Sequence, residues 1–216
     1  MSGRVVVVDY GAGNLVSIRN ALTLLGAEPV VAQAPHDLRG ARMVVLPGVG
    51  ASGPAMERLD HAGLSAAIRA AVADGAWLVG ICLGLQLLFE TSEEDGARML
   101  GLLDGPVVPI ADAPRLPHIG WNQLEHVRPH PLLEGVADGA PAYFVHSYVA
   151  RPADPSIVLA QTEHGSRFPS LVARDRIVAF QPHPERSGAD GLRLLRNTLT
   201  LAGIVAPAPA PIAVGA

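Results

Sequence analysis

The sequence predicts an α/β protein built as a three-layer, doubly wound, mostly parallel sheet with an antiparallel extension. Three observations carry this. Arg4 to Asp9 (RVVVVD), Met43 to Leu46 and Trp77 to Ile81 are short, continuous apolar runs, the pattern of strands buried on both faces. Between them lie longer segments with apolar residues at helical spacing, and strands alternating with helices at this interval pair in parallel. In the second half the pattern changes to short alternating segments separated by turn residues, which read as hairpins.

Taken in order, the first strand runs into Gly11-Ala12-Gly13. A helix follows, with Leu15, Ile18, Leu22 and Leu25 on one face and Gly26 at its end. The opening resembles a dinucleotide-binding turn but fails as one. Val16 stands where the third glycine belongs, and no acidic residue ends the second strand, near Glu28 to Ala32. The third strand enters Pro47-Gly48-Val49-Gly50. Helical segments then reach Asp74, with Leu64, Ile68 and Val72 on one face and Gly75 as the stop. The alternating segments are Val107 to Ile110, His118 to Leu124, Ala142 to Val149, Ile157 to Gln161, Ser170 to Ala173 and Ile177 to Gln181. Ser187 to Asp190 can cap a last helix carrying Leu192, Leu195 and Leu199. These elements make one domain over residues 1–204, and the Pro/Ala-rich stretch 205–216 reads as a disordered tail.

Composition narrows the function. Net charge is −4 without a basic block, so neither nucleic acid nor an anionic membrane surface is indicated. No apolar run approaches a membrane span and no leader pattern opens the chain, so a cytoplasmic location is expected. All 16 basic residues are Arg. Without Lys, Schiff-base chemistry and a P-loop lysine are excluded.

The single cysteine, Cys82, lies in Val79-Gly80-Ile81-Cys82-Leu83-Gly84-Leu85-Gln86, between the apolar run and a helix expected over Leu83 to Phe89. A nucleophile flanked by glycines two residues away on each side, at a strand-to-helix turn, is a nucleophile elbow. The glycines are needed where the chain folds closely on itself. In a doubly wound sheet ligands sit beyond the carboxyl ends of the strands, which places Cys82 beside the Pro47–Gly50 loop. Backbone N–H groups of such a loop can hold an oxyanion.

His183 is set between Pro182 and Pro184 after a buried strand, with Glu185 two residues on. In an extended segment residues i and i+2 point the same way, so Glu185 can hold one imidazole nitrogen while the other faces a nucleophile. Thiol, imidazole and orienting carboxylate follow the logic of a nucleophilic triad. The remaining histidines invite a metal reading through His126 and His130, with His118 upstream. Pro129 and Pro131 break the helix that would align the first two, and no zinc site is expected.

With these residues in place, Gly80 to Gln86 together with His183-Pro184-Glu185 resembles the class I glutamine amidotransferase family. Four further stretches are similar to one branch of it, the glutaminase subunits of imidazole glycerol phosphate synthase. They are Asp9-Tyr10-Gly11-Ala12-Gly13-Asn14-Leu15, Leu46 to Gly50, Gly120-Trp121-Asn122 and Tyr143-Phe144-Val145-His146-Ser147-Tyr148. The resemblance spans about residues 4–203. It implies hydrolysis of L-glutamine by Cys82, His183 and Glu185, with an oxyanion hole from the N–H groups of Val49 and Leu83. It implies a glutamine pocket of Gly50, Gln86, Glu94, Ser147 and Tyr148, where Glu94 is suited to the substrate's α-ammonium. It also implies delivery of ammonia to a HisF-type (β/α)8 cyclase in histidine biosynthesis, through a face including Asn14, Trp121, Asn122, Tyr143 and Arg186. No metal or organic cofactor is implied. Two positions depart from the family's pattern. Pro182 stands where Phe is usual, and a shift of the backbone entering His183 is expected from it. Arg186 stands where Lys is usual, keeping the charge with a different geometry. Two alternatives stay open: a glutaminase subunit for pyridoxal phosphate or anthranilate synthesis, and a catalytically silent scaffold. The Gly120-Trp121-Asn122 stretch speaks against the first, and an intact Cys82, His183 and Glu185 against the second.

Overall fold

The computed structural model describes residues 3–207, so the expected tail lies, from residue 208 onward, outside the described residues. The parallel half of the sheet is formed by β1 (Val5–Val8), β2 (Pro29–Ala32), β3 (Met43–Gly48), β4 (Trp77–Cys82) and β12 (Ile177–Phe180), in the order β2-β1-β3-β4-β12. The antiparallel half continues through β11 (Ser166–Arg174), β10 (Val158–His164), β7 (His118–His126) and β8 (Ala140–His146). A separate small sheet joins β5 (Thr91–Ser92), β6 (Pro106–Pro109) and β9 (Tyr148–Ala150).

Successive residues of the central strands serve opposite faces. Val5, Val7, Val45, Val79 and Ile81 pack under α1 (Leu15–Leu24) and α5 (Gly188–Leu201). Val6, Val8, Val44, Leu46 and Leu78 pack against α2 (Ser52–His61) and α3 (Leu64–Ala73). Two apolar cores on the two faces of one sheet make the three layers that the uninterrupted valine runs require. Among the described residues no helix is long and apolar enough to cross a membrane.

Four local expectations change. The helix after Cys82, α4 (Leu83–Gln86), is a single turn rather than a run to Phe89. The amides of Leu88 and Phe89 bond back three residues, to Leu85 and Gln86, instead of four, and the carbonyls of Leu87, Leu88 and Phe89 accept amides of Leu100, Leu102, Leu103 and Gly101 from the loop that follows. Ser187 precedes α5 without capping it. Its hydroxyl donates to the His183 carbonyl at 2.6 Å and accepts the Tyr143 amide at 3.0 Å. Leu194, Leu195 and Leu199 form the buried face of α5, with Leu192 only half-buried. Finally, Pro184–Arg186 is a 3-10 turn, not extended chain.

Candidate active site

β3 and β4 run in register to their carboxyl ends, pairing Gly48 with Cys82. Cys82 then turns sharply, with φ 55° and ψ −112°, a conformation that costs energy for any residue with a Cβ. The flanking glycines make this turn possible. A Cβ on Gly84 would lie 1.8 Å from the Leu46 carbonyl oxygen, and one on Gly80 would lie 2.7 Å from the Gly84 carbonyl oxygen. The elbow is therefore pressed against β3 so closely that no side chain fits. Cys82 is 4% exposed, and its sulfur lies 3.8 Å from the Val145 carbonyl.

β12 lies beside β4 and delivers His183 to the same end of the sheet. Pro182 disturbs little: the neighbouring amides are both bonded, Gln181 N–H to Ser170 and His183 N–H to Tyr143, each at 2.9 Å. The turn after His183 brings Glu185 back to it, with Nδ1 and Oε1 2.8 Å apart and the carboxylate side chain fully buried. The pair forms as expected, through a turn rather than through side chains aligned on a strand. His183 Nε2 is buried without a partner in ordinary hydrogen-bond geometry. Burial is the largest influence on this imidazole and opposes its charge. Hydrogen bonding and charge from Cys82 and Glu185 together outweigh burial and raise His183 to about 10.

A cavity of about 310 Å³ opens at Cys82 and Leu83, lined by Gly50, Ala51, Gln86, Glu94, Val145, His146, Ser147 and Tyr148. All five expected pocket residues thus line the cavity at Cys82, although Glu94 comes from a loop, Ser147 from the bend between β8 and β9, and Tyr148 from the start of β9. Glu94 Oε2 accepts the first amide of α2, from Ser52, at 3.2 Å, where the positive helix end favours a carboxylate. Burial still moves the Glu94 carboxyl upward, with Asp95 adding to it and the Ser52 bond opposing. Gly50 adopts φ +95°, and Val49 before it is 46% exposed and is not among the residues that line the cavity.

The expected partner-facing residues divide into three positions. Trp121 and Tyr143 meet edge to face at 6.0 Å, and the Arg186 guanidinium sits 4.3 Å over the Tyr143 ring. Guanidinium stacking of this kind is a contact an ammonium makes less well. Asn14 caps α1, accepting the Ser17 amide at 3.2 Å. Asn122 turns toward His118, at 3.2 Å.

Three residues near the site are given no role there by the sequence reading, although Tyr10 and His146 fall within family-like stretches. Tyr10 is buried with its hydroxyl unpartnered, packed where a Gly48 Cβ would otherwise project. Burial first, then the charge of Cys82, push that phenol upward, with Arg58 opposing. His118 and His146 face each other across β7 and β8. Their proximity depends on strand register, which a single sequence does not display. Among the described residues no group of three His, Cys, Asp or Glu side chains is placed to hold a metal ion.

Known proteins share this chain's sequence and fold. The family model for class-I glutamine amidotransferases matches residues 6–201. The chain is 45% identical over 199 residues to the imidazole glycerol phosphate synthase subunit HisH of Dehalococcoides mccartyi, covering 92% of this chain and 97% of that relative. It is 47% identical over 196 residues to the subunit of the same name from Aquifex aeolicus, covering 90% and 95%. A crystal structure of a glutamine amidotransferase superposes with a TM-score of 0.73 at 27% identity, covering 92% of this chain and 98% of the other. The chain belongs to the class-I glutamine amidotransferase family and, within it, to the HisH subunits of imidazole glycerol phosphate synthase.

Proposed function

We propose that Cys82, His183 and Glu185 hydrolyse L-glutamine and that the ammonia passes to a HisF-type (β/α)8 cyclase subunit in a heterodimer. The Cys82 sulfur attacks the side-chain carboxamide carbon. His183 takes the thiol proton and gives it to the departing nitrogen, so ammonia leaves and a glutamyl thioester remains. Water then adds to the thioester, His183 accepts its proton, and glutamate departs as that proton returns to sulfur. Glu185 holds the imidazole by Nδ1, leaving Nε2 for the proton transfers. The tetrahedral oxyanion rests on the N–H groups of Leu83 and Val49. Glu94 pairs with the α-ammonium. Both amide hydrogens of Gln86 are committed, to the Tyr148 carbonyl and to Gln181, so Gln86 offers its carbonyl oxygen to the substrate. Gly50, Ser147 and Tyr148 complete the pocket. Trp121, Tyr143, Arg186, Asn122 and Asn14 form the face toward the cyclase.

One observation supports this reading above the others. His183 is pinned to a buried carboxylate on one nitrogen, and its other nitrogen is unpaired in the surroundings of a cysteine held on a strained elbow. The test is to mix the purified chain with a HisF-type cyclase, its ribulosyl phosphate precursor and glutamine. The reading predicts glutamate and imidazole glycerol phosphate in equal amounts. Product formed from ammonium but never from glutamine would refute it.

A further inference from the structure

One run of buried polar groups has no part in the chemistry above. β7 pairs with β8 so that His118 stands opposite His146, and both are buried. Asn122 Nδ2 lies 3.2 Å from His118 Nε2. His118 Nδ1 lies 3.2 Å from His146 Nε2. His146 Nδ1 lies 3.0 Å from the Tyr148 carbonyl oxygen. The direction of each bond follows from what each atom can do. A carbonyl only accepts, so His146 carries its proton on Nδ1. Its Nε2 is then an acceptor, which puts the His118 proton on Nδ1. His118 Nε2 is left to accept from the Asn122 amide. Both rings remain neutral around pH 7, because burial pushes His146 down to about 3 and His118 down to about 4.

The chain ends where the pocket begins. The Tyr148 carbonyl also accepts Gln86 Nε2 at 2.8 Å, so two donors fill its lone pairs. At its other end Asn122 donates to the Glu163 carbonyl at 2.9 Å and accepts the Gln123 amide at 2.8 Å. Asn122 therefore has its own position fixed by backbone.

We infer that His118 and His146 are positioning residues for glutamine, forming a one-way hydrogen-bond chain that ties the Tyr148 carbonyl, and through it Gln86, to Asn122 on β7. The inference rests on the function proposed above, which makes Gln86 and Tyr148 part of the glutamine pocket. His146 forms part of the pocket wall and His118 lies behind it, and neither has a place in the proton transfers proposed above. They act by holding the bend between β8 and β9 and the Gln86 amide in one orientation. A pure packing role is the competing explanation, because His118 also stacks on Phe144 at 5.0 Å and on His164 at 4.1 Å.

Two substitutions separate donor from shape. His118→Phe keeps a ring in the stack and removes the donor to His146. His118→Asn gives up the ring but keeps an amide N–H near the place of Nδ1. In the complex with the cyclase, His118→Phe is expected to raise KM for glutamine roughly tenfold, since a buried acceptor loses its donor, with kcat changed less than about twofold. His118→Asn is expected to restore most of that loss. Nitrogen-15 NMR of the wild-type imidazoles is expected to show the Nδ1–H tautomer for both His118 and His146. An unchanged KM in His118→Phe, or equal damage in both variants, would overturn the inference. So would an Nε2–H tautomer at His146, a measurement that needs no variant to fold. If the wild-type complex released no glutamate, the proposed function would fail instead, and the tautomers would still decide whether the chain exists.

Discussion

The two halves of the sheet meet at β12 and place chemistry by different means. In the parallel half, the functional groups are close in sequence to the strands that aim them. β3 ends in the Gly48–Gly50 loop, β4 ends in Cys82, and β12 runs straight into His183. In the antiparallel half, function comes from pairing. His118 meets His146 only because β7 and β8 take that register, and Ser147 and Tyr148 reach the cavity through a bend between two different sheets. In the proposed mechanism the parallel half supplies nucleophile, base and oxyanion donors, together with Gly50 and Gln86, and the antiparallel half adds Val145 and His146 to a pocket wall that Glu94, Ser147 and Tyr148 complete. Substitutions at the triad should act on kcat, and substitutions in the pocket wall on KM.

The comparison is sharpened most by Glu185→Gln. It keeps the shape at the end of β12 but removes the carboxylate that sets the imidazole's tautomer. A fall in kcat on the order of 10³–10⁴, with KM little changed, is expected in steady-state glutaminase assays. A change confined to KM would erase the division of labour. Next in size is the state of the oxyanion loop. Gly48 and Gly50 flank Val49, and Gly50 already holds φ +95°, so the peptide between them can rotate at small steric cost. If partner binding turns the Val49 N–H toward the substrate, glutamate release should rise by about 10²–10³ between the free chain and the ligand-bound complex, mostly in kcat. Equal kcat in the two would dispose of a gated loop.

Glu94→Gln addresses the wall. Losing the charge partner of the α-ammonium should raise KM roughly ten- to a hundredfold and leave the turnover of bound glutamine nearly intact. The smallest effect is on stability against pH, and here the two halves have opposite signs. His183 is raised to about 10 in the folded chain. Its contribution is complete below the ordinary imidazole value near 6.5 and disappears as pH climbs toward 10. His118 and His146 are lowered to about 4 and about 3. Theirs is complete above 6.5 and disappears as pH falls through those values. Urea unfolding followed across pH should therefore lose the alkaline decline in His183→Asn and weaken the acid decline in His118→Phe. The reverse assignment would contradict the ring environments described here.

The same division explains what was legible in the sequence. The parallel strands announced themselves as valine-rich runs, and the elbow as glycines bracketing the only cysteine, because each signal is local. Gly84 bears this out: the reason for it lies in the Leu46 carbonyl, but the need for a residue without a side chain is written at the position itself. Expectations failed where distant chain competes for a local group. After Gln86 the chain tightens into i→i−3 bonds and its carbonyls pair with residues near 100, so α4 ends after one turn. The Ser187 hydroxyl was taken by His183 and Tyr143, which removed it as a cap. Glu185 found His183 through a turn that brings the two side chains together without strand geometry. The histidine chain was invisible for a related reason, since the one bond that joins its two strands, His118 to His146, depends on register between them.

The central claim is that Cys82 is the nucleophile of a glutaminase that feeds a separate synthase site. It is tested most directly by the Cys82→Ser complex, assayed for imidazole glycerol phosphate with glutamine and, in parallel, with ammonium. The serine oxygen is a poor nucleophile without a base matched to it, while the cyclase's own chemistry is untouched. The account predicts no product from glutamine and wild-type rates from ammonium. Glutamine-dependent product from the variant at a rate near wild type would contradict it.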